Sequence, residues 1–258
     1  MPKLTIVKIG GAVIENEGKL IPFLKDFSQI KGPKILVHGG GKKASLWAEK
    51  LDIPVKMNAG RRITDATTLE LISGLYAGQI NKKIVAHLQA FQCNALGLSG
   101  PDGNALLAEK RSVKPIDYGY VGDIVAVNTS FFSALLHQGI TPVCCAISHD
   151  VNGQLLNTNA DTVTSEIGQA MSKDYETRLQ YCFELPGVLK SLEDPNSLIK
   201  NITLNSYQTL LDNGYISEGM IPKLENAFEA LRKGVKEVGI GSTKMILKNI
   251  LYTSITLK

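Results

Sequence analysis

Apolar residues are distributed along this chain in two ways, as short nearly uninterrupted runs and as longer stretches stepped by three or four. The first run, Leu4 to Ile9, is broken only by Thr5 and Lys8 and delivers that lysine and the pair Gly10-Gly11 to one edge of a predicted sheet. A second, Lys34-Ile35-Leu36-Val37, runs into His38-Gly39-Gly40-Gly41-Lys42-Lys43 and a helix-forming stretch from Ala44 to Leu51. Between them the pattern from about Lys19 to Gln29 predicts a helix, stopped by Gly32-Pro33. Strands that are apolar throughout are buried on both faces. With helices between them they predict an α/β protein with a mainly parallel central sheet. Glycine-rich turns at the C-terminal ends of such strands are where these sheets bind ligands.

Further along, Thr64 and Asp65 are N-cap candidates for a long helix from about Ala66 to Gln89, with Leu69, Ile72, Tyr76, Ile80, Ile84 and Leu88 on one side. The stripe reads as core-facing, with a subunit interface as the alternative; Gly74 and Gly78 would let another helix approach closely. Cys93 to Leu98 predicts a strand, Tyr118 to Asp123 a glycine- and tyrosine-rich hairpin or loop, and Phe131 to Gln138 a short helix. Thr141 to Ile147 reads as a buried strand, followed by a turn at Asp150 to Gly153 and by the polar stretch Leu156 to Asp161 ahead of a helix from about Thr162 to Met171. The remainder predicts a strand over Leu179 to Phe183, a turn at Pro186-Gly187, helices over Leu204 to Asn213 and Leu224 to Lys233, and a strand over Glu237 to Ile240. The weakest seam, at Lys173-Asp174, divides a single domain into lobes 1–172 and 173–258.

Composition narrows the function classes. The net charge of +4 is spread thinly and aromatics are only 6%, which disfavours nucleic acid and suits small acidic ligands. Cys93, Cys144, Cys145 and Cys182 show no C-x-x-C spacing and read as small core hydrophobes in a reducing compartment. No basic-then-apolar leader precedes the first strand, and no apolar run approaches the roughly 18 residues of a membrane span, so the expectation is a cytoplasmic protein with no membrane partner.

Gly10-Gly11 and Gly39-Gly40-Gly41 let backbone N–H groups close on an anion, and the helix after the second turn adds its positive end. Neither turn matches G-x-x-x-x-G-K-S/T or G-x-G-x-x-G. Lys8 at a strand end is costly without a task or solvent. Lys223, between Met220-Ile221-Pro222 and a helix, reads alone as a solvated first-turn lysine, Asp161 as an ordinary helix N-terminal carboxylate, and Arg62 either as a bidentate carboxylate clamp or as half of a solvated pair with Arg61. The four histidines have no metal-ligand spacing and there is no G-x-S-x-G elbow, so metal hydrolysis and serine acyl transfer lack visible machinery. Phosphoryl transfer to a carboxylate needs none of that. The nucleophile is already ionised, and the protein has to position two anions and neutralise charge with lysines, N–H groups and Mg²⁺.

Taken in order, Val7 to Glu15 (VKIGGAVIE), Val37 to Ala44 (VHGGGKKA), Gly60 to Asp65 (GRRITD), Gly119 to Ile124 (GYVGDI), Asn157 to Asp161 (NTNAD) and Gly219 to Ala227 (GMIPKLENA) resemble the amino acid kinase family over nearly the whole chain. The Arg62, Asn157–Asp161 and Lys223 blocks together resemble members that act on N-acylated glutamate. The resemblance implies a three-layer αβα sandwich, an N-terminal lobe for the acyl-amino acid and dimerisation, and a C-terminal lobe for ATP. It implies ATP-dependent phosphorylation of the side-chain carboxylate of N-acetyl-L-glutamate, a step of arginine biosynthesis, with Mg²⁺ carried by the nucleotide rather than by protein ligands. By motif position Lys8 would stabilise the transferring phosphoryl group, Lys223 the leaving ADP, and Asp161 would hold both lysines. Gly10, Gly11, Gly39 and Gly40 would donate N–H bonds to the phosphoryl group and the attacking carboxylate, while Arg62 and Asn157 would grip the α-carboxylate.

Two departures stand out. The family's D-V-x-G turn beside the nucleotide is replaced by Phe183-Glu184-Leu185-Pro186-Gly187, leaving the role of Glu184 open, and the sequence begins directly at the first strand without the extra helix of hexameric, arginine-inhibited members. The expectation is a homodimer insensitive to arginine. A sibling kinase acting on N-succinylglutamate or another small acid is the alternative within enzymes, and a non-catalytic nucleotide-binding regulator the alternative outside them.

Overall fold

Crossovers between parallel strands are right-handed, so the direction in which a chain steps along its sheet decides which face each helix covers. In the computed structural model, which describes every residue except 59, 192, 195, 217–219 and 248–249 and the side chain of residue 222, the chain steps both ways. Lys3–Ile9 (β1) leads through Gly11–Glu15 (α1) and Glu17–Ser28 (α2) to Lys34–His38 (β2) and Gly41–Lys50 (α3). The hairpin Lys56–Asn58 (β3) and Arg61–Ile63 (β4) precedes a continuous helical stretch, Ala66–Ser73 (α4), a π-turn over Gly74–Ile80, and Asn81–Ala90 (α5), which ends at Ala95–Leu98 (β5). Leu106–Lys110 (β6), Gly122–Val127 (β7), Thr129–His137 (α6), Thr141–Cys145 (β8), Ile147–His149 (β9), Leu155–Asn157 (β10) and Ala160–Met171 (α7) follow. The last part holds Glu176–Phe183 (β11), Asn201–Thr203 (β12), Leu204–Asp212 (α8), Ile221–Arg232 (α9), Glu237–Ser242 (β13) and Thr253–Thr256 (β14).

Eight strands form the central sheet in the order β12-β14-β13-β11-β1-β2-β8-β5, parallel except where β14 meets β13. Stepping β1 to β2 to β5 places α2 and α5 together on one face, while stepping back through β8 to β11 and β13 places α6, α7 and α9 on the other, with α7 across β1, β2 and β11. The result is the three-layer αβα sandwich. Its inner strands are apolar because both faces are covered: every residue of β2 and β8 is buried. A smaller sheet, β10-β9-β6-β7, carries Asn157 at the end of β10.

Local sequence explains most element ends. Asp65 caps α4 by accepting the Thr68 N–H at 2.8 Å, Asn159 caps α7, and Thr203 with Ser206 forms a capping box on α8. The stripe Leu69, Ile72, Tyr76, Ile80, Ile84 and Leu88 is buried throughout, as its spacing predicts. Gly74 and Gly78 have open space where a side chain would be, so among the described residues no helix packs on them. The Thr141–Ile147 stretch divides at Ala146 into β8 and β9. The hairpin β3–β4, β6, and the short outer strands β12 and β14 were not evident from periodicity, since a three-residue strand or a polar hairpin shows none. Gly219, in the last motif, lies outside the described residues. All four cysteines are free and buried, and burial pushes the Cys145 and Cys182 thiols up to about 12.

Phe27 on α2 is fully buried beside Phe23, the ring centroids 6.1 Å apart. Phe27→Ala is expected to destabilise the fold by about 3–5 kcal/mol through lost burial and a residual cavity. Val151→Ala, at a position 81% exposed, should stay within about 0.5 kcal/mol of the parent. Chemical unfolding of the two variants checks both values.

Candidate active site

The register of the central strands sets the site. Ile9 stands opposite His38, so the glycine turns after β1 and β2 leave the same edge of the sheet together. A side chain on Gly11 would meet Lys42 at 3.8 Å and one on Gly39 would meet Ala160 at 3.5 Å, so both turns lie against neighbouring elements. At Gly40 there is no room at all: an added Cβ would lie 2.5 Å from Ile80 and 2.7 Å from the Tyr76 ring. The second turn therefore needs glycine because the long helix passes directly behind it.

Lys8, one residue from the end of β1, reaches Asp161 on α7, where Nζ and Oδ1 are 2.7 Å apart. The other oxygen, Oδ2, accepts from Lys223 on α9. A lysine in the first turn of a helix opposes the positive end of the helix dipole, and Asp161 supplies the compensating charge. The Asp161 side chain is 8% exposed. Burial works to raise its carboxyl, but the two ammonium groups outweigh that and hold it at about 2. Burial pulls Lys8 below the ordinary lysine range, against the attraction of Asp161. The site thus keeps two cations on one anion, with one positive charge in excess.

Beside this group lies a cavity of about 360 Å³ lined by Gly39, Gly40, Gly41, Arg62, Asn157 and the residues flanking Asp161, Ala160 and Thr162. Arg62, delivered by β4 and largely buried, donates from Nη2 to Gly41 O at 2.9 Å and to Ser45 Oγ at 2.8 Å. Its guanidinium spans the rim of the second glycine turn. Asn157 donates to Thr64 Oγ1 at 3.0 Å, which turns its carbonyl oxygen away from that contact. The predicted residues are thereby brought together in two adjoining groups, Lys8–Asp161–Lys223 and Gly39–Gly40–Arg62–Asn157. Gly10 does not serve as the expected anion donor: its N–H donates to Cys182 O of the neighbouring β11 at 3.0 Å, which continues the strand ladder past the end of β1.

Sequence reasoning missed Lys42, Ser45, Tyr76 and Arg111, all of which line the cavity. Tyr76 carried a signal only as one step in an apolar stripe, and Arg111, paired with Asp123 across β6 and β7, carried none. Among the described residues the cavity is lined by four cationic side chains, Lys42, Arg61, Arg62 and the Asp123-paired Arg111, and by no carboxylate. A second cavity, of about 480 Å³, opens at the C-terminal ends of β11 and β13, where Phe183, Glu184, Ser242 and Lys244 line it. There Glu184 pairs with Lys19 at 2.6 Å. Among the described residues no group of three or more His, Cys, Asp or Glu side chains could hold a metal ion, and no helix is long and apolar enough to cross a membrane.

Residues 3–242 match the model of the amino acid kinase family. The chain is 49% identical to the acetylglutamate kinase of Cytophaga hutchinsonii over 97% of its length and 95% of that relative. It is 36% identical to the acetylglutamate kinase of Methanopyrus kandleri, covering 95% and 97%. Among solved structures, the carbamate kinase of Giardia superposes over 100% of this chain and 99% of its own with a TM-score of 0.73 at 13% identity, a likeness of fold.

Asp161 lowered to about 2 from its ordinary 3.8 stabilises the fold above the higher value, and that contribution is lost as pH falls through the lower one. Asp161→Asn leaves Lys8 and Lys223 facing each other without a counter-charge. The parent should therefore be the more stable protein near neutral pH, and the difference should shrink as pH drops from about 4 towards 2. Thermal unfolding of the pair across that range checks the sign.

Proposed function

The chain belongs to the amino acid kinase family, and we infer that it transfers the γ-phosphoryl group of ATP to the side-chain carboxylate of N-acetyl-L-glutamate, giving ADP and N-acetylglutamyl 5-phosphate, a step of arginine biosynthesis. The observation that carries this reading is the Lys8–Asp161–Lys223 group set against a cation-lined cavity that holds Arg62 and Asn157. The identity with acetylglutamate kinases over nearly the whole chain supports the choice of acid.

The chemistry follows from charge. The carboxylate is ionised at neutral pH, so no general base is required, and Asp161, held at about 2 by two lysines, would be a poor one. Arg62 and Asn157 grip the α-carboxylate, leaving the side-chain carboxylate free to reach the glycine turn. Lys8 meets the phosphoryl group in flight and Lys223 the charge that grows on the departing ADP, while the N–H groups of Gly11, Gly39 and Gly40 face the anions; the Gly10 N–H is already engaged by Cys182 O and takes no part. Both oxygens of Asp161 are already engaged and no carboxylate lines the cavity among the described residues, so Mg²⁺ would be carried on the nucleotide phosphates, where it neutralises charge. In this reading residues 1–172 hold the acid and 173–258 the nucleotide, whose base lies toward the cavity beside Glu184. The active form is a cytoplasmic homodimer.

Lys42 and Arg61 in the acid cavity would also suit an acid with one more carboxylate, N-succinylglutamate. Hydroxylamine trapping of the acyl phosphate with MgATP and a panel of N-acetylglutamate, N-succinylglutamate, glutamate and aspartate separates the readings. A hydroxamate from N-acylated glutamates alone is expected, and none from any acid would leave a non-catalytic nucleotide binder. Lys8→Ala is expected to lower kcat by on the order of 10², since it removes charge stabilisation special to the transition state. Arg62→Ala should chiefly raise KM for the acid, and an unchanged KM would show the clamp to be misassigned.

A further inference from the structure

The long helix contains its π-turn, Gly74–Ile80, at the point where Tyr76 and Ile80 press on Gly40. Such turns insert a residue into the helical repeat and recur at functional sites. The first residue after this one, Asn81, is fully buried. Its amide nitrogen donates to Val143 O at 2.9 Å and faces His38 Nε2 at 3.0 Å. Gly97 leaves the notch in which its amide oxygen sits, since any added Cβ would overlap that atom.

His38 ends β2 and is itself fully buried. Its Nδ1 lies 2.9 Å from the carbonyl oxygen of Gly39. The proton positions follow from the partners. Carbonyl oxygens only accept, so Asn81 must turn its NH₂ to Val143, which leaves the second hydrogen for His38 Nε2. The imidazole proton must then sit on Nδ1 to serve Gly39. Burial favours the neutral ring, and the pKa of His38 is pushed down to about 4. A neutral ring with a single tautomer is what this network requires.

In a trans peptide the carbonyl and the following N–H point to opposite sides. With the Gly39 oxygen tied back to the imidazole, the Gly40 N–H points the other way. Among the described residues no acceptor engages that N–H, and Gly40 lines the acid cavity. We propose that His38, fixed by Asn81 at the π-turn, is a positioning residue that aims the Gly40 N–H at the reacting carboxylate or the phosphoryl group it receives. It touches neither reactant and works only through the orientation of one peptide plane.

This inference rests on the phosphoryl-transfer reading, and the two are separable by experiment. Nitrogen-15 NMR of the intact protein at neutral pH reads the tautomer without turnover. An Nδ1–H ring with Nε2 bare is expected, and an Nε2–H ring overturns the inference. In the hydroxylamine assay, Asn81→Leu and His38→Leu should lower kcat/KM for the acid roughly ten- to hundredfold, the scale of a small misplacement in an active site. KM for ATP should stay within about twofold. His38→Asn keeps an N–H donor one bond from Cγ and should recover roughly tenfold over His38→Leu. Equal loss in the two His38 variants, or a KM for ATP that rises in step, would mark a histidine that only supports the fold and would overturn the proposal. If the leucine variants do not fold, the tautomer decides. A parent that makes no hydroxamate from any acid would instead sink the phosphoryl-transfer reading and leave the tautomer test standing.

Discussion

Two ammonium groups cannot share a poorly solvated site unless an anion stands between them, and here Asp161 supplies it. It binds Lys8 from the centre of the sheet with one oxygen and Lys223 from α9 with the other. The arrangement ties β1, α7 and α9 together at the C-terminal end of β1. It also leaves one unit of positive charge for a ligand. A carboxylate held this far below its ordinary range stays ionised under physiological conditions, so it fixes the two lysines rather than exchanging protons with substrate.

Around that charge the fold supplies backbone rather than side chains. The glycine turns after β1 and β2 emerge side by side because their strands are parallel neighbours. The second is backed so closely by Tyr76 and Ile80 that a methyl group would not fit at Gly40. Rigid backing matters for an N–H donor, because the peptide plane has to face the developing charge before the reaction begins. The buried His38–Asn81 pair, reached through the π-turn, provides that backing from within the core.

The two cavities differ in charge. Among the described residues one is lined by four cations and no carboxylate, the other by a Lys19–Glu184 pair and the ends of β11 and β13. In the proposed reaction the anionic acid would occupy the first. In that reading the phosphoryl group passes from the nucleotide to the acid past Lys8 and Lys223. A fold of this kind hosts several acceptors, and the acid cavity's own residues, not the sheet beneath them, decide which one is used.

The strands β1, β2 and β8, the long helix and the cap at Asp65 were legible in the sequence, because periodicity and capping are local properties. So were the separate pieces of the site: a lysine and two glycines at a strand end, three glycines after the next, an arginine, an asparagine, an aspartate and a second lysine. What local pattern could not supply was their meaning together. Taken alone, Lys223 is a solvated helix-start lysine and Asp161 a helix-capping carboxylate, and only family likeness joined them ahead of the structure. The tertiary structure decided the rest: that Asp161 faces both lysines, that Arg111 and Tyr76 enter the acid cavity, that the polar hairpin β3–β4 carries Arg62 to its rim, and that a π-turn aims Asn81 at His38. Each of these depends on which strands lie side by side and which helix covers which face, and such contacts between distant segments leave no period in the sequence to be read.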